Sequence, residues 1–317
     1  MAYSKPYLPV ADQLALIQTR GMVISDVPRA TEMLNRIGYY RLSGYWYPFR
    51  EIVVSGGVAG IGDNFKPGTE LSCVIDLYIF DKKLRLLLLD AFERIEIALR
   101  VQISLTLGLR GSLAHRDPNA LHGNFARRNN PRTRRVEHQE WLRRTDEKFD
   151  DSREEFAKHF RTKYAGEKPP IWIACEAWDF GAMSHLFGGM QIGDQAKIAT
   201  EYGLPPDILE SWIRAINVAR NVCAHHGRLW NKPIPNQPKW PRAPSILDLA
   251  HVAGNTKALT RVYGTAALTR FLLRHTSPAT DWSNRLKALC ASFPQSPVIA
   301  LSAAGFPKGW EALNLWA

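Results

Sequence analysis

The chain has 317 residues, of which 45% are hydrophobic and 22% charged, so it can form a sizeable core of ordinary globular composition. Its 41 Lys and Arg residues against 30 Asp and Glu residues give a net charge of +11, which favours a polyanionic partner such as nucleic acid. The sequence contains no membrane span or secretion signal, and its four cysteines are widely spaced. We therefore expect a cytoplasmic protein with no membrane partner, disulfide framework or cysteine-rich zinc site.

The N-terminal part is predicted to form short helices and one hairpin. Helices are expected at Val10 to Arg20 and at Val27 to Arg36, with Asp26 as the N-cap of the second. An aromatic segment follows at residues 37–50. The Gly-rich segment from Glu51 to Pro67 is predicted to be a small hairpin or a loop.

The longest helical pattern runs from Leu71 to Leu107, where apolar residues recur every three to four positions. Acidic residues precede basic residues by four positions, a spacing that favours ion pairs on a helix surface. The pattern predicts a long amphipathic core helix with the pairs Asp81/Arg85, Asp90/Arg94 and Glu96/Arg100.

A basic, loop-like insert is predicted at about residues 111–144. One hypothesis is an arm that binds the phosphates of RNA, and the alternative is a solvated basic loop without a ligand. The candidate RNA-binding residues of the insert are Arg127, Arg128, Arg132, Arg134, Arg135, Arg143 and Arg144.

The remainder of the chain is also predicted to be helical, so the fold class is mainly α. No internal repeat and no parallel βαβ series is recognised. The C-terminal tail carries Trp282, Trp310 and Trp316, which we expect to pack into the core. Helical segments are expected at Glu140 to Lys163, Trp172 to Phe187, Asp194 to Tyr202, Pro206 to His226 and, after a Pro-rich stretch at Lys232 to Pro244, Leu247 to Arg274.

The most informative segment, Arg220 to Asn231, has the sequence RNVCAHHGRLWN. Arginine binds phosphate oxygens through a rigid fork of donors, and histidine is the side chain best suited to proton transfer near neutral pH. Arg220, Asn221, His225 and His226 are therefore candidate catalytic residues for phosphodiester cleavage without a metal or another cofactor. The same helix is predicted to carry a polar stripe of Glu210, Arg214, Asn217, Asn221, His225 and Arg228, in which Arg214 and Arg228 are further candidate RNA contacts.

Helix geometry constrains how these residues can act together. Five steps along a regular helix rotate by about 140° and rise by roughly 7.5 Å, so Arg220 and His225 do not point the same way. Either the helix is distorted near Gly227, or a second copy of the motif completes the site. We favour the second option, which predicts a homodimer with a composite site.

Structural and metal-binding roles are the alternatives for this motif. Arg220 falls on the apolar stripe of the helix, where it needs a carboxylate such as Glu93, Glu96 or Glu176. The two histidines would then only cap the helix C-terminus. A zinc site lacks further ligands at a familiar spacing, and Cys223 lies on the apolar stripe, which is unfavourable for a nucleophile.

The motif resembles the signature of the Abi-like proteins of AbiD/AbiF type, which are bacterial abortive-infection factors. Segments that also resemble this family occur in the expected order, and the likeness covers about Lys5 to Pro235. It implies a helical domain at residues 1–235 and, at residues 236–317, a Pro-rich linker and helical extension packed on the same body. The supporting segments are IGYYRLSGYWYPF at 37–49, FDKKLRLLLLDAFERIEIALR at 80–100 and PIWIACEAWDFGAMS at 170–184.

The resemblance also implies a fold and a reaction. The family is grouped with HEPN domains, helical bundles marked by R-x(4–6)-H, here with a hairpin or loop insertion and extra C-terminal helices. Arg220 with His225 fits a spacing of four intervening residues, and Arg220 with His226 fits five. The motif therefore does not decide which of the two histidines is catalytic. The implied activity is a toxin-like, metal-independent endoribonuclease that acts in phage defence as a dimer and leaves 2′,3′-cyclic phosphate ends. A structured regulatory RNA is a further implied partner, and the alternatives are an RNA-binding or sensing module without catalysis and a metal-dependent nuclease.

Overall fold

Short helices and one hairpin form the N-terminal part of the computed structural model, which describes residues 6–131, 133–241 and 246–317. Helix α2 begins after Asp26, whose carboxylate accepts a hydrogen bond from the amide of Arg29. The two strands are antiparallel, and the turn between them places Gly56 and Gly57 at positive φ, where glycine avoids the strain of a Cβ atom. The elements are α1 Val10–Thr19, α2 Val27–Ile37, α3 Tyr39–Trp46, β1 Arg50–Ser55 and β2 Val58–Phe65.

The long helix α4, Leu71–Gly108, is the centre of the fold. Its three predicted ion pairs are present, and one of them, between Asp81 and Arg85, is buried. The helices that follow are α5 Gly123–Ala126, α6 Glu137–Asp151, α7 Glu155–Lys163, α8 Ile171–Ala174, α9 Phe180–Gly189, α10 Ile192–Thr200, α11 Pro206–Ala224, α12 Ala250–Ala253, α13 Thr256–Thr260, α14 Val262–Thr276 and α15 Trp282–Ala291. The mainly α fold class with a small hairpin is therefore confirmed.

Three predicted helical segments are divided in the structure: Leu247 to Arg274 contains α12, α13 and part of α14, and two others break at local caps. The segment from Glu140 to Lys163 breaks after α6, where the Arg161 guanidinium donates to the carbonyls of Phe149 and Ser152. The segment from Trp172 to Phe187 breaks before α9, where the Asp179 carboxylate accepts from the Ala182 amide as an N-cap. In both cases local capping overrides the helical periodicity.

The C-terminal helices share the hydrophobic core of the preceding elements. Helices α14 and α15 pack against α4, and the indole nitrogen of Trp282 donates to the carbonyl of Leu87 at 2.7 Å. Trp310 and Trp316 are also buried, and the Trp316 indole donates to the Tyr263 hydroxyl at 3.0 Å. Across the described ranges, no helix combines the length and the apolar character that crossing a membrane requires.

A buried histidine pair joins the start of the insert to α6. The His138 Nε2 atom donates to the His115 carbonyl at 2.8 Å, and both imidazoles are shielded from solvent. Burial lowers the pKa of His138 and lowers that of His115 to about 3. Both residues therefore stay neutral in the folded protein at a pH where they take up protons once unfolded.

This pair should make the fold sensitive to acid. Because the folded-state pKa of His115 is depressed below the unfolded value of about 6.5, its contribution to stability is lost as pH falls below that value. Protonation of His115 in the unfolded chain alone should lower the free energy of unfolding by about 2 kcal/mol between pH 7 and pH 5. Denaturant titrations of wild type and His115→Leu at both pH values measure this loss. Equal losses in the two proteins would contradict the assignment.

Candidate active site

Helix α11 carries the arginine, amide and histidine motif. The helix begins at Pro206, and its apolar stripe of Leu209, Ile213, Ile216 and Cys223 is buried as predicted. Asn221 and His225 are exposed, whereas Arg220 is half-buried at the margin of the apolar stripe. The helix ends at Ala224, so the motif spans its last turn and the loop that follows.

The two histidines occupy the end of this helix, with His225 at the C-cap position. The His226 amide donates to the Cys223 carbonyl at 3.1 Å, and the Gly227 amide donates to the Val222 carbonyl at 2.8 Å. These two bonds form a Schellman motif, in which the residue after the C-cap is left-handed and usually glycine. Here that residue is His226, with φ of +58°.

A histidine at this position costs stability that a glycine would not. We expect His226→Gly to raise the free energy of unfolding by about 0.5–1 kcal/mol, because glycine has no Cβ strain in this conformation. His226→Ala keeps the Cβ atom and should not be stabilising. Chemical denaturation of the three proteins tests this, and equal effects of Gly and Ala would contradict it. A strained residue that is retained at a site is a reason to look for a functional role there.

A buried polar cluster fixes the loop after the helix. The Asp81 carboxylate accepts from the Tyr45 hydroxyl at 2.7 Å, from the Trp230 amide at 2.8 Å and from the Leu229 amide at 3.2 Å, and it also pairs with Arg85. Asp81 is 0% exposed and Arg85 is 4% exposed. Burial raises the pKa of Asp81 and of Tyr45, while the surrounding donors oppose the shift at Asp81. The loop is thereby tied to α3 and α4.

Several arginines around this loop donate to main-chain carbonyls. The Arg41 guanidinium donates to the His226 carbonyl at 2.9 Å, the Arg261 guanidinium to the Asn231 carbonyl at 2.8 Å, and that of Arg228 to the Gly44 carbonyl. Within the described ranges none of the three lies within 4.0 Å of a carboxylate oxygen, so their positive charges are not neutralised by ion pairs.

The predicted place of Arg228 on the polar stripe is wrong. Helix α11 ends at Ala224, so the chain has left the helix before it reaches Arg228. The Arg228 side chain is half-buried, and its guanidinium is bound to the Gly44 carbonyl of α3. Arg228 therefore joins the motif loop to α3.

Arg220 faces a small cleft of about 380 Å³ against α4. The cleft is lined by Glu93 and Glu96, whereas Glu176 pairs with Arg100 at 3.4 Å. Burial raises the pKa of Glu96, and the nearby positive charges of Arg100 and Arg220 oppose the rise. Among the described residues no ion pair within 4.0 Å holds Arg220, whose nearest hydrogen-bond acceptor is the Asn221 amide oxygen at 3.5 Å.

One protomer does not join the arginine to the imidazoles. In the part of the chain that the structure describes, no hydrogen bond links Arg220 to His225 or His226. The helix is regular up to Ala224, so the angular separation expected from a regular helix applies. By this geometry, convergence of Arg220 and His225 on one phosphate needs movement or a second copy of the motif, whereas His226 lies in the loop beyond the helix.

A groove of about 1160 Å³ runs between α5, α6, α9 and α11 and reaches Asn217, one helical turn before Asn221. Among the described residues, the three Lys and Arg residues that line it are each paired: Arg144 with Glu140 at 3.0 Å, Lys148 with Asp179, and Arg214 with Glu210 at 2.5 Å. The five carboxylates in its lining outnumber these cations, and they are Glu137, Glu140, Asp179, Asp207 and Glu210. The groove is therefore poorly suited to phosphate, and Arg214 and Arg144 bind carboxylates in it.

Three arginines of the basic insert share one carboxylate. Glu140 accepts from Arg135 at 3.3 Å, from Arg143 at 2.8 Å and from Arg144 at 3.0 Å, and these hydrogen bonds lower the pKa of Glu140 to about 2. Arg127 donates to the Asn119 side chain at 2.6 Å. Arg128 and Arg134 are exposed, and the predicted contact Arg132 lies outside the described residues.

Two observations concern the thiol and metal chemistries considered for the motif. Burial raises the pKa of the Cys223 thiol to about 12, which keeps it protonated and unsuited to nucleophilic attack. Within residues 6–131, 133–241 and 246–317, no three His, Cys, Asp or Glu side chains are grouped so that they could bind a metal ion.

Sequence reasoning missed the cluster of Tyr45, Asp81 and Arg85. The pair Asp81/Arg85 was predicted as one of three similar ion pairs along α4. The sequence contains a signal for this cluster, because Asp81 lies on the apolar stripe of α4, four residues after Leu77 and three before Leu84. A carboxylate on an apolar stripe requires several buried donors.

The comparisons with known proteins agree with this arrangement of segments. The profile of the family described as "Abi-like protein" matches residues 32–231, which include α3, α4 and α11 with its motif. No curated protein and no solved structure matches the chain significantly. The family match covers more than half of the chain, which therefore belongs to the Abi-like family, associated with abortive infection and phage defence.

Proposed function

We propose that this protein is a metal-independent endoribonuclease of the HEPN type that acts in abortive infection. The observation that carries the proposal is the placement of Arg220, free of any ion pair within the described ranges, on the same helix end as two exposed histidines. The loop that bears His226 is held in place by Asp81, which accepts hydrogen bonds from the amides of Leu229 and Trp230. A fixed loop of this kind would let a second copy of the motif meet the histidines in a constant geometry.

The reaction needs only groups that the chain and RNA provide. An imidazole takes the proton of the ribose 2′-OH, whose oxygen attacks the adjacent phosphorus, and the imidazolium so formed gives that proton to the departing 5′-oxygen. Arg220 stabilises the charge that develops on the phosphorane, and Asn221 orients the phosphate. The products are a 2′,3′-cyclic phosphate and a 5′-OH. We assign proton transfer first to His225, with His226 as the second candidate.

A second copy of the chain, which supplies the second motif, would dock on an exposed apolar stripe along α4. This stripe consists of Ile97, Val101 and Leu105 of α4 and of Leu109 at its C-cap, spaced four residues apart and 49–86% exposed. A row of exposed apolar side chains is suited to contact with another protein surface. Ile97 also lines the cleft that contains Arg220, so a chain docked on the stripe would lie next to the arginine.

A cleavage assay with purified protein tests the proposal. Labelled single-stranded RNA and DNA of the same sequence are incubated with the protein in excess chelator. RNA alone should be cut, and acid treatment should open the cyclic phosphate ends of the products. DNA lacks the 2′-OH nucleophile and should stay intact.

Two outcomes of the same assay would favour other functions. Salt-dependent RNA binding without strand scission would identify a binding or sensing module. Cleavage that is lost in chelator and restored by a divalent cation would identify a metal-dependent nuclease.

A further inference from the structure

Two tyrosines of α3 and its C-terminal end are exposed in a way that packing does not explain. Tyr40 is 91% exposed, the highest value among the large apolar side chains of the described residues, and Tyr47 is 50% exposed. The neighbouring aromatic residues Tyr45 and Trp46 are buried, as aromatic side chains of a helix normally are. Fully solvated aromatic rings are suited to stacking against a planar ligand.

These tyrosines lie beside the motif loop. Tyr40, Gly44 and Tyr47 are four and three residues apart, so they share one face of α3. The carbonyl of Gly44, between the two tyrosines, accepts the hydrogen bond from Arg228 of the motif loop. Arg41 donates to the carbonyl of His226 at 2.9 Å. The exposed face of α3 is therefore fixed to the loop that carries the histidine.

The electrostatics of this face differ from those of the basic insert. Arg41 and Arg228 are bound to neutral carbonyls, and neither has a carboxylate within 4.0 Å in the described part of the chain. In the insert, by contrast, a single carboxylate, that of Glu140, accepts from three arginines. Positive charge without a neighbouring carboxylate is therefore available to phosphate next to the motif, as it also is at Arg128 and Arg134 of the insert among the described residues.

From this arrangement we infer that Tyr40 stacks on an unpaired base of the substrate and that Arg41 binds a neighbouring phosphate. In a duplex the faces of each base are covered by the adjacent pairs, so a stacking tyrosine selects single-stranded RNA. The inference rests on the proposed function for the nature of the substrate. It names Tyr40 as the residue that positions the strand at the motif.

Binding of RNA that cannot be cleaved tests the inference separately from the reaction. A labelled single-stranded oligonucleotide with 2′-O-methyl riboses lacks the nucleophile, so its affinity is measured by anisotropy without cleavage. We expect Tyr40→Ala to weaken binding by about 5- to 150-fold, which is the range for loss of one stacked base. Tyr40→Phe keeps the ring and should stay within about twofold of wild type. Tyr7→Ala removes another tyrosine, 87% exposed, and should have no effect.

Further measurements separate stacking from a structural role. The Tyr40→Ala variant and wild type should bind an abasic oligonucleotide of the same length equally well. Arg41→Gln should reduce the salt slope of log Kd by about 0.7, the value for one phosphate contact on a single strand. The inference is overturned if wild type does not bind RNA, or if Tyr40→Ala binds the intact strand like wild type. It is also overturned if Tyr40→Ala loses the same factor for intact and abasic strands. Binding that depends on Tyr40 without any cleavage of ordinary RNA would overturn the proposed function alone.

Discussion

Replacement of Asp81 by alanine is expected to lower the free energy of unfolding by about 3–5 kcal/mol. The substitution leaves the buried Arg85 guanidinium without its carboxylate and removes the acceptor of the Leu229 and Trp230 amides and of the Tyr45 hydroxyl. Each of these donors would then be buried without its partner. Urea or guanidinium titration measures the change.

Glu32→Ala is the matched control for this prediction. Glu32 also forms an ion pair with an arginine four residues later, Arg36, at 2.8 Å, but both side chains are exposed. Its loss should therefore cost less than about 1 kcal/mol. Equal costs for Asp81→Ala and Glu32→Ala would show that the buried cluster does not stabilise the motif loop.

Mixing two inactive variants is expected to restore ribonuclease activity. If Arg220 of one copy acts with His225 of the other, a heterodimer of Arg220→Ala and His225→Ala retains one intact site of two. Random pairing of equal amounts then gives about a quarter of the wild-type rate, whereas each variant alone should lose at least about 100-fold. Cleavage of labelled RNA by the separate and mixed proteins measures the recovery.

The apolar stripe of α4 provides a control for this experiment. Leu105 is 65% exposed, so Leu105→Asp should not disturb the fold of one protomer. A charge on the stripe should prevent docking of a second copy and abolish the recovery when it is placed in both variants. A mixture that stays as inactive as its components, without Leu105→Asp, would contradict the composite site.

The sequence is sufficient for the elements that depend on local periodicity. The apolar spacing predicts α4 almost to its ends, and the buried stripe of α11 follows from Leu209, Ile213, Ile216 and Cys223. Asp26 signals the start of α2 because its side chain can accept a main-chain amide. The resemblance of the motif and three other segments predicts the family that the profile match confirms.

Other features could not be predicted because they join segments that are distant in the chain. The donors to Asp81 come from α3, α4 and the motif loop, and neither spacing nor propensity specifies such contacts. The pairing of the charges in the insert could not be predicted for the same reason. The composition of the insert indicates phosphate binding, but it does not indicate that Glu140 accepts from three of its arginines. The left-handed conformation of His226 also follows from the loop as a whole, because its residue type alone indicates no turn.

Cleavage of RNA by the motif without a metal is tested most directly by the RNA cleavage assay in chelator with single substitutions in the motif. We predict cyclic phosphate products from wild type and a loss of at least about 100-fold in both Arg220→Ala and His225→Ala, with unchanged thermal unfolding. If His225→Ala stays active, the activity of His226→Ala shows whether His226 transfers the proton instead. Cleavage at the wild-type rate by Arg220→Ala, or by the double variant that lacks both histidines, would contradict the account.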